Sequence, residues 1–202
     1  MNAPARPFAA ALLAGGKSSR MGGDKALLEW RGQPLWRFQV GKLIELNPDR
    51  LLLSCREEQR LKNVFAEFVF DPPDNPGPLG AIARCLEVAQ LPLLVLAVDM
   101  PQMTAEFLRS LLDECADCSR GLVCQSAESF EPLCAVYPVQ AQELLRAMLR
   151  DGVFKMQTVV EGLAAMNLVR VRELRADELP LFFNANTPQE YAWMKSAPPA
   201  SS

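Results

Sequence analysis

An α/β fold, a single Rossmann-like domain with a mostly parallel central sheet and helices on both faces, is what this sequence predicts. Three observations predict it. Short, continuously apolar runs of β type recur at 8–13, 51–54, 68–70 and 93–98. Segments of helical periodicity, such as 35–46, alternate with them. The chain has 202 residues, 50% of them hydrophobic and 22% charged, which matches one domain with a sizeable core. Strands covered on both faces read as unbroken apolar runs, and strands alternating with helices favour a parallel sheet.

Taken in order, the first strand, 8–13, leads into a glycine-rich turn, and the helix at 35–46 precedes the strands at 51–54 and 68–70. After the strand at 93–98, Thr104 is placed to N-cap a helix that reaches Cys118, with Phe107, Leu108, Leu111, Leu112 and Cys115 on its apolar face. Gly121 restarts the chain into a strand at 122–124, followed by a strand at 133–137 and a helix at 139–149. Asp151 and Gly152 form a turn before a helix at 153–163 and a strand at 168–171. Thr187-Pro188-Gln189-Glu190 has the capping-box form, with Pro at the first helical position, and starts a last helix running to Lys195. No repeat and no linker divides the chain. One domain is expected over 1–202, its core spanning about 8–195 and its tail 196–202.

The charge balance, 21 basic against 24 acidic residues for a net of -3, contains no basic block. A nucleic-acid polymer is therefore an unexpected partner, and a small molecule a better one. No apolar run approaches the roughly 18 residues of a membrane span. The apolar stretch after Arg6 passes directly into Gly15-Gly16-Lys17-Ser18 rather than a cleavage site, so a cytoplasmic protein is expected. Six scattered cysteines read as reduced thiols. Cys115 and Cys118 form a C-x-x-C, but there is no second pair and no histidine in the chain to complete a zinc site. The absence of histidine also removes Ser-His-Asp triads and phosphohistidine chemistry. Catalysis must use carboxylates, lysine, arginine, amides, backbone N–H groups or a metal ion.

The densest chemical signal is Leu13-Ala14-Gly15-Gly16-Lys17-Ser18-Ser19-Arg20-Met21-Gly22-Gly23-Asp24-Lys25, directly after the first strand. Its glycines let backbone N–H groups turn toward a phosphate chain, and Lys17, Arg20 and Lys25 offset the charge of that chain. A Walker A loop is excluded, because its first glycine would fall at Ala11 inside the strand. The dinucleotide fingerprint fails too, since the glycines come as adjacent pairs. Asp99 reads either as a cap for the following turn or as a metal ligand; its place at the C-terminal edge of a buried strand favours the ligand. Mg²⁺ commonly takes one or two carboxylates and completes its shell with substrate oxygens and water.

The Gly-rich segment resembles the signature of the molybdenum cofactor guanylyltransferases, a family of Rossmann-like nucleotidyltransferases. The resemblance extends from about Phe8 to Lys195. Asp71 with Pro76-Gly77-Pro78-Leu79 is similar to the family's Asp and Gly-Pro-Leu loop near the guanosine. Val98-Asp99-Met100-Pro101 is similar to its Asp-Met-Pro metal site, and Phe183-Asn184-Ala185-Asn186-Thr187-Pro188 to its acceptor-side segment. The chain departs from the pattern at Ser54-Cys55-Arg56, where the family often has Asn, and at Gly80-Ala81, where the usual order is reversed.

The resemblance implies a GTP site built from Leu13, Ala14, Gly15, Gly16, Lys25, Asp71, Gly77, Pro78, Leu79 and Asp99. It implies Lys25, Arg20 and Asp99 as catalytic residues, with Mg²⁺ on Asp99. It also implies acceptor binding by Asn184 and Asn186, which read equally as turn and helix-entry residues, as Asp71 reads also as a turn former. The implied reaction transfers GMP from GTP to molybdopterin bearing molybdenum, with molybdoenzymes or cofactor-delivery proteins as further partners. Two other readings stay open here. One is a sister enzyme of cytidylyl or sugar type, whose relatives tend to read Leu-Ala-Ala-Gly at the loop. The other is a non-catalytic GTP-binding delivery module, against which Lys25 and Asp99 both argue.

Overall fold

β1 (Ala9–Leu13) is a central strand, and its side chains explain the layering of the molecule. In the computed structural model, which describes residues 6–16, 23–62, 65–71, 77–115, 119–184 and 187–196, all five residues of this strand are buried. Ala10 and Leu12 face one apolar layer, and Ala9, Ala11 and Leu13 the other. The strict alternation of faces along a strand turns an unbroken apolar run into two cores.

The chain continues through a short hairpin, β2 (Glu29–Trp30) and β3 (Gln33–Pro34), into α1 (Leu35–Ile44), then β4 (Arg50–Cys55) and β5 (Glu67–Phe70). α2 (Pro78–Ala89) leads to β6 (Leu93–Ala97), and α3 (Ala105–Glu114) to β7 (Gly121–Gln125) and β8 (Phe130–Tyr137). α4 (Ala141–Arg150), α5 (Met156–Ala165), β9 (Val169–Glu173) and α6 (Pro188–Ser196) complete it. The seven-stranded sheet has the order β5-β4-β1-β6-β8-β7-β9. β8 is antiparallel to both β6 and β7, while the other neighbours pair in parallel. α1 and α3 cover one face with Leu35, Val40, Leu43, Phe107, Leu108 and Leu111. α2, α4 and α5 cover the other with Leu79, Ile82, Leu86, Leu145, Val160 and Leu163. The expected α/β class is the observed one. Among the described residues, no helix is long and apolar enough to cross a membrane.

Local chemistry explains the ends of these elements. The Oγ1 of Thr104 accepts the Phe107 N–H at 3.1 Å, which starts α3 as expected, although α3 closes at Glu114 with Cys115 as its cap. The stretch expected to continue to Cys118 lies outside the described residues. Thr187 and Glu190 form the reciprocal capping box, with contacts of 2.9 and 3.2 Å.

Three features differ from the sequence expectation. Pro78 and Leu79, expected in a Gly-Pro-Leu loop, open α2, a helix absent from the sequence expectation; Gly77 takes φ 72° ahead of Pro78 at the helix start. β2 and β3 pair at two residues each, too short to leave a periodic signal. β8 begins at Phe130, three residues before the expected 133, and its register with β7 shifts between Val123 and Cys124. Pro132 lies within the resulting bulge, where a missing N–H is tolerated.

Candidate active site

The chain leaves β1 toward β4 and β5 on one side, then returns to β6 on the other, with Leu13 level with Ala97. The crevice beyond the carboxyl ends of β1 and β6 is therefore the point where strand order reverses, the usual ligand position in open α/β sheets. A cavity of about 220 Å³ lies there. Leu13, Gly15 and Gly16 line it at and just beyond the end of β1, Asp71 just beyond β5, and Gly77 and Pro78 at the start of α2. Lys25, Ser54, Ala81, Ala97, Val98, Asp99 and Leu133 complete the wall.

Lys25 opens a 3-10 turn capped by Asp24, whose Oδ1 accepts the Ala26 N–H at 3.0 Å. The other Asp24 oxygen is 3.0 Å from the Arg56 guanidinium, tying the end of the Gly-rich segment to the end of β4. From this turn the Nζ of Lys25 reaches Asp99 Oδ2 at 3.0 Å. Their side chains are 16% and 23% exposed, so the pair is partly screened and open to exchange with a ligand.

Asp71 follows β5, and its Oδ1 accepts the Ser54 hydroxyl hydrogen at 2.8 Å. Its carboxylate lies so close to Gly15 that a Cβ there would meet Asp71 Oδ2 at 1.9 Å. Gly15 is thus required by the approach of a carboxylate. Gly16, at φ 99°, adopts a backbone that disfavours a side chain. Gln59 braces the strand end: its Nε2 donates to the Ala14 carbonyl at 2.9 Å and its Oε1 accepts the Arg56 N–H at 2.7 Å.

Burial, with the negative charges of Asp71 and Asp24 nearby, pushes the Cys55 thiol up to about 11. Burial likewise raises Cys85 to about 12. Both stay protonated at neutral pH, which removes a thiolate nucleophile from this end of the sheet.

Of the expected site residues, Leu13, Gly15, Gly16, Lys25, Asp71, Gly77, Pro78 and Asp99 line one cavity. Ala14 and Leu79 are buried at 1% and 0% exposure, and neither is among the lining residues. Asn184 is also outside the lining, and its Oδ1 is buried with no hydrogen-bond partner among the described residues. Arg20 and Asn186 lie outside the described residues, as do Lys17 and Pro76. Ser54, the Asp71 partner, is not among the expected site residues; in the sequence it stands out only as the start of the Ser54-Cys55-Arg56 departure from the family pattern. Leu133 was legible only as a strand residue, because its place in the wall depends on β8 pairing beside β6.

The described residues contain no cluster of three or more histidine, cysteine, aspartate or glutamate side chains able to hold a metal. The accessible Asp99 carboxylate, with Asp71 on the same cavity, fits a hard cation that draws most of its shell from substrate oxygens and water.

Solved structures share this architecture. Molybdopterin-guanine dinucleotide biosynthesis protein A from Archaeoglobus fulgidus superposes with a TM-score of 0.74 at 25% identity, over 93% of this chain and 96% of its own. The 2-C-methyl-D-erythritol 4-phosphate cytidylyltransferase from Thermus thermophilus shares the fold at a TM-score of 0.67 and 16% identity, over 92% and 96%. Fold and site together define a nucleotidyltransferase of the α/β class. A family model for the MobA-like NTP transferase domain matches residues 10–166. The chain belongs to that family. It is 37% identical over 194 residues to a probable molybdenum cofactor guanylyltransferase of Opitutus terrae, covering 94% of this chain and 96% of that one. It is 35% identical over 188 residues to the molybdenum cofactor guanylyltransferase of Pseudomonas aeruginosa, covering 91% and 92%.

Proposed function

We propose that this protein transfers GMP from GTP to the terminal phosphate of molybdenum-bearing molybdopterin, releasing pyrophosphate and forming the guanine dinucleotide cofactor. The observation that carries this reading is the Lys25–Asp99 pair, 3.0 Å apart, on the same cavity as Gly15, Gly16 and Asp71. The names of the Opitutus and Pseudomonas relatives support the guanylyl donor and the molybdopterin acceptor.

The acceptor phosphate is its own nucleophile. A phosphate monoester has a second pKa near ~6, so it is largely dianionic at neutral pH and needs no general base. This suits a chain with no histidine. The protein then has to align the two phosphates and offset charge. Gly15 and Gly16 would bring backbone N–H groups to the triphosphate, and Lys25 and Arg20 would neutralise the departing pyrophosphate. Asp71, Gly77 and Pro78 would border the nucleoside, with Asn184 and Asn186 toward the acceptor. Asp99 would hold Mg²⁺, whose chemistry when bound is to polarise phosphate oxygens and offset their charge. On this reading 1–202 works as one nucleotidyltransferase domain in the cytoplasm, and its product passes to molybdoenzymes or delivery proteins.

The test is pyrophosphate release across a Mg²⁺ titration with Asp99→Asn. The substitution keeps the size of the side chain and one carbonyl oxygen but removes the charge a hard cation needs. The expected outcome is a collapse of kcat with an unchanged ligand-free melting temperature; a wild-type rate with wild-type metal dependence would remove Asp99 from the metal site.

A further inference from the structure

β6 ends at Ala97, and the turn through Val98, Asp99, Met100 and Pro101 sends its carbonyls toward α1. Two polar side chains of α1 receive them. Gln39 and Lys42 are three residues apart on one helix face and are 0% and 8% exposed, among the few buried polar side chains of the described residues. Gln39 Nε2 is 2.9 Å from the Met100 carbonyl oxygen, 3.2 Å from that of Val98 and 3.4 Å from that of Ala97. Lys42 Nζ donates to the Pro101 carbonyl at 2.9 Å and to Gln39 Oε1 at 2.6 Å. The amide can face only one way, because carbonyls only accept and the lysine only donates. Residues 97, 98, 100 and 101 are thus bound from the α1 side. The side chain of Asp99, between them, reaches Lys25 on the cavity.

We infer that Gln39 and Lys42 are positioning residues that hold the 97–101 turn so that the Asp99 carboxylate faces the nucleotide cavity. The inference rests on the reading of Asp99 as the metal-holding carboxylate. Burying an amide and an amine is costly, and apolar side chains would pack α1 against β6 without that cost. The polar pair does what apolar side chains cannot: it satisfies inward-pointing carbonyls of a turn that leaves the sheet ladder. Lys42 also lies over the Phe38 ring, 4.4 Å from its centre. Burial, with the nearby Arg31 charge, brings its amine down to about 7, and both the charged and the neutral amine can donate to Pro101.

The experiment uses the full chain with Gln39→Met, Lys42→Met, Lys42→Arg and Asp99→Asn. Mn²⁺ binding is followed by electron paramagnetic resonance of the free ion, in the presence of a GTP analogue with a non-hydrolysable α–β bridge. Ligand-free melting temperatures are recorded alongside. Partners behind a metal ligand typically alter metal affinity by about 10–100-fold, so Gln39→Met and Lys42→Met are expected to weaken Mn²⁺ binding by at least ~10-fold. Lys42→Arg, which keeps a donor for Pro101, is expected to retain most of the affinity. Wild-type Mn²⁺ affinity in Gln39→Met and Lys42→Met, with only a lower melting temperature, would overturn the positioning role. So would equal losses in Lys42→Arg and Lys42→Met, a comparison that still decides if Gln39→Met does not fold. Asp99→Asn separates the two levels. If it binds Mn²⁺ like the wild type, the reading of Asp99 fails; if it loses Mn²⁺ while the α1 variants keep it, the positioning role alone fails.

Discussion

Gly15 illustrates how a single hydrogen atom in place of a methyl decides the geometry of the cavity. The Asp71 carboxylate occupies the space where a Cβ would stand, 1.9 Å from its Oδ2, and is fixed there by the Ser54 hydroxyl at 2.8 Å. In Gly15→Ala the short aspartate side chain must leave that bond, because it has no long stem to bend. Hydrogen bonds to charged groups contribute roughly 1.5–3 kcal/mol. If Asp71 borders the nucleoside, kcat/KM for GTP should therefore fall by about 10–100-fold, at roughly tenfold per 1.4 kcal/mol. The melting temperature should move little, since the carboxylate stands at the cavity rather than in either core. Steady-state kinetics with varied GTP checks this, and an unchanged KM and kcat would mean that Asp71 can move without consequence. The sequence marks the Gly-Gly pair as a turn, but not the contact that requires a glycine at 15. The partner that demands Gly15 comes from another strand, 56 positions along the chain.

Helix caps are written in local sequence, and the elements that depended on them were the most legible. Thr104 and the Thr187–Glu190 box were identifiable because a side chain three residues from its target bonds it wherever the helix packs. Thr104→Ala should accordingly cost about 1 kcal/mol, or a melting temperature lower by ~2–4 °C for a chain of this size. Mg²⁺ dependence should stay as in the wild type, because Thr104 bonds Phe107 and not the 97–101 turn. A thermal melt and a Mg²⁺ titration of the same preparation check both. α2 was less legible for an opposite reason. Gly77-Pro78 punctuates like a loop, yet Leu79, Ile82, Ala83 and Leu86 repeat at 0, 3, 4 and 7, the spacing of a buried helix face. That signal was present and was masked by the turn residues ahead of it. The reversal of β8 left no such trace, since strand direction is set by which neighbour a strand finds, and Pro132 interrupts its pattern.

At the scale of the molecule, the sheet order brings chemistry together from segments far apart in sequence. β1 supplies the glycine turn, β5 leads to Asp71, β6 to Asp99, and α2 opens on Gly77 and Pro78, all at one end of one sheet. A ligand held by all four segments binds the folded chain and not the unfolded one, so its affinity appears directly as thermal stability. At a GTP concentration of 100 times Kd the added stability is about 2.7 kcal/mol. For a chain of this length that corresponds to roughly 5–11 °C in melting temperature, at ~2–4 °C per kcal/mol. GTP with Mg²⁺ is expected to give that shift, and CTP, UTP and ATP at the same concentration distinctly smaller ones. The contrast between bases is the informative part, because the Gly-rich turn, Lys25 and Asp99 would meet the same triphosphate in all four nucleotides. An equal shift with CTP or UTP would leave the nucleotidyltransferase class intact and overturn the guanylyl assignment. A shift that is equal for all four and lost in Asp99→Asn would mean that this end of the sheet binds triphosphate and metal but does not read the base.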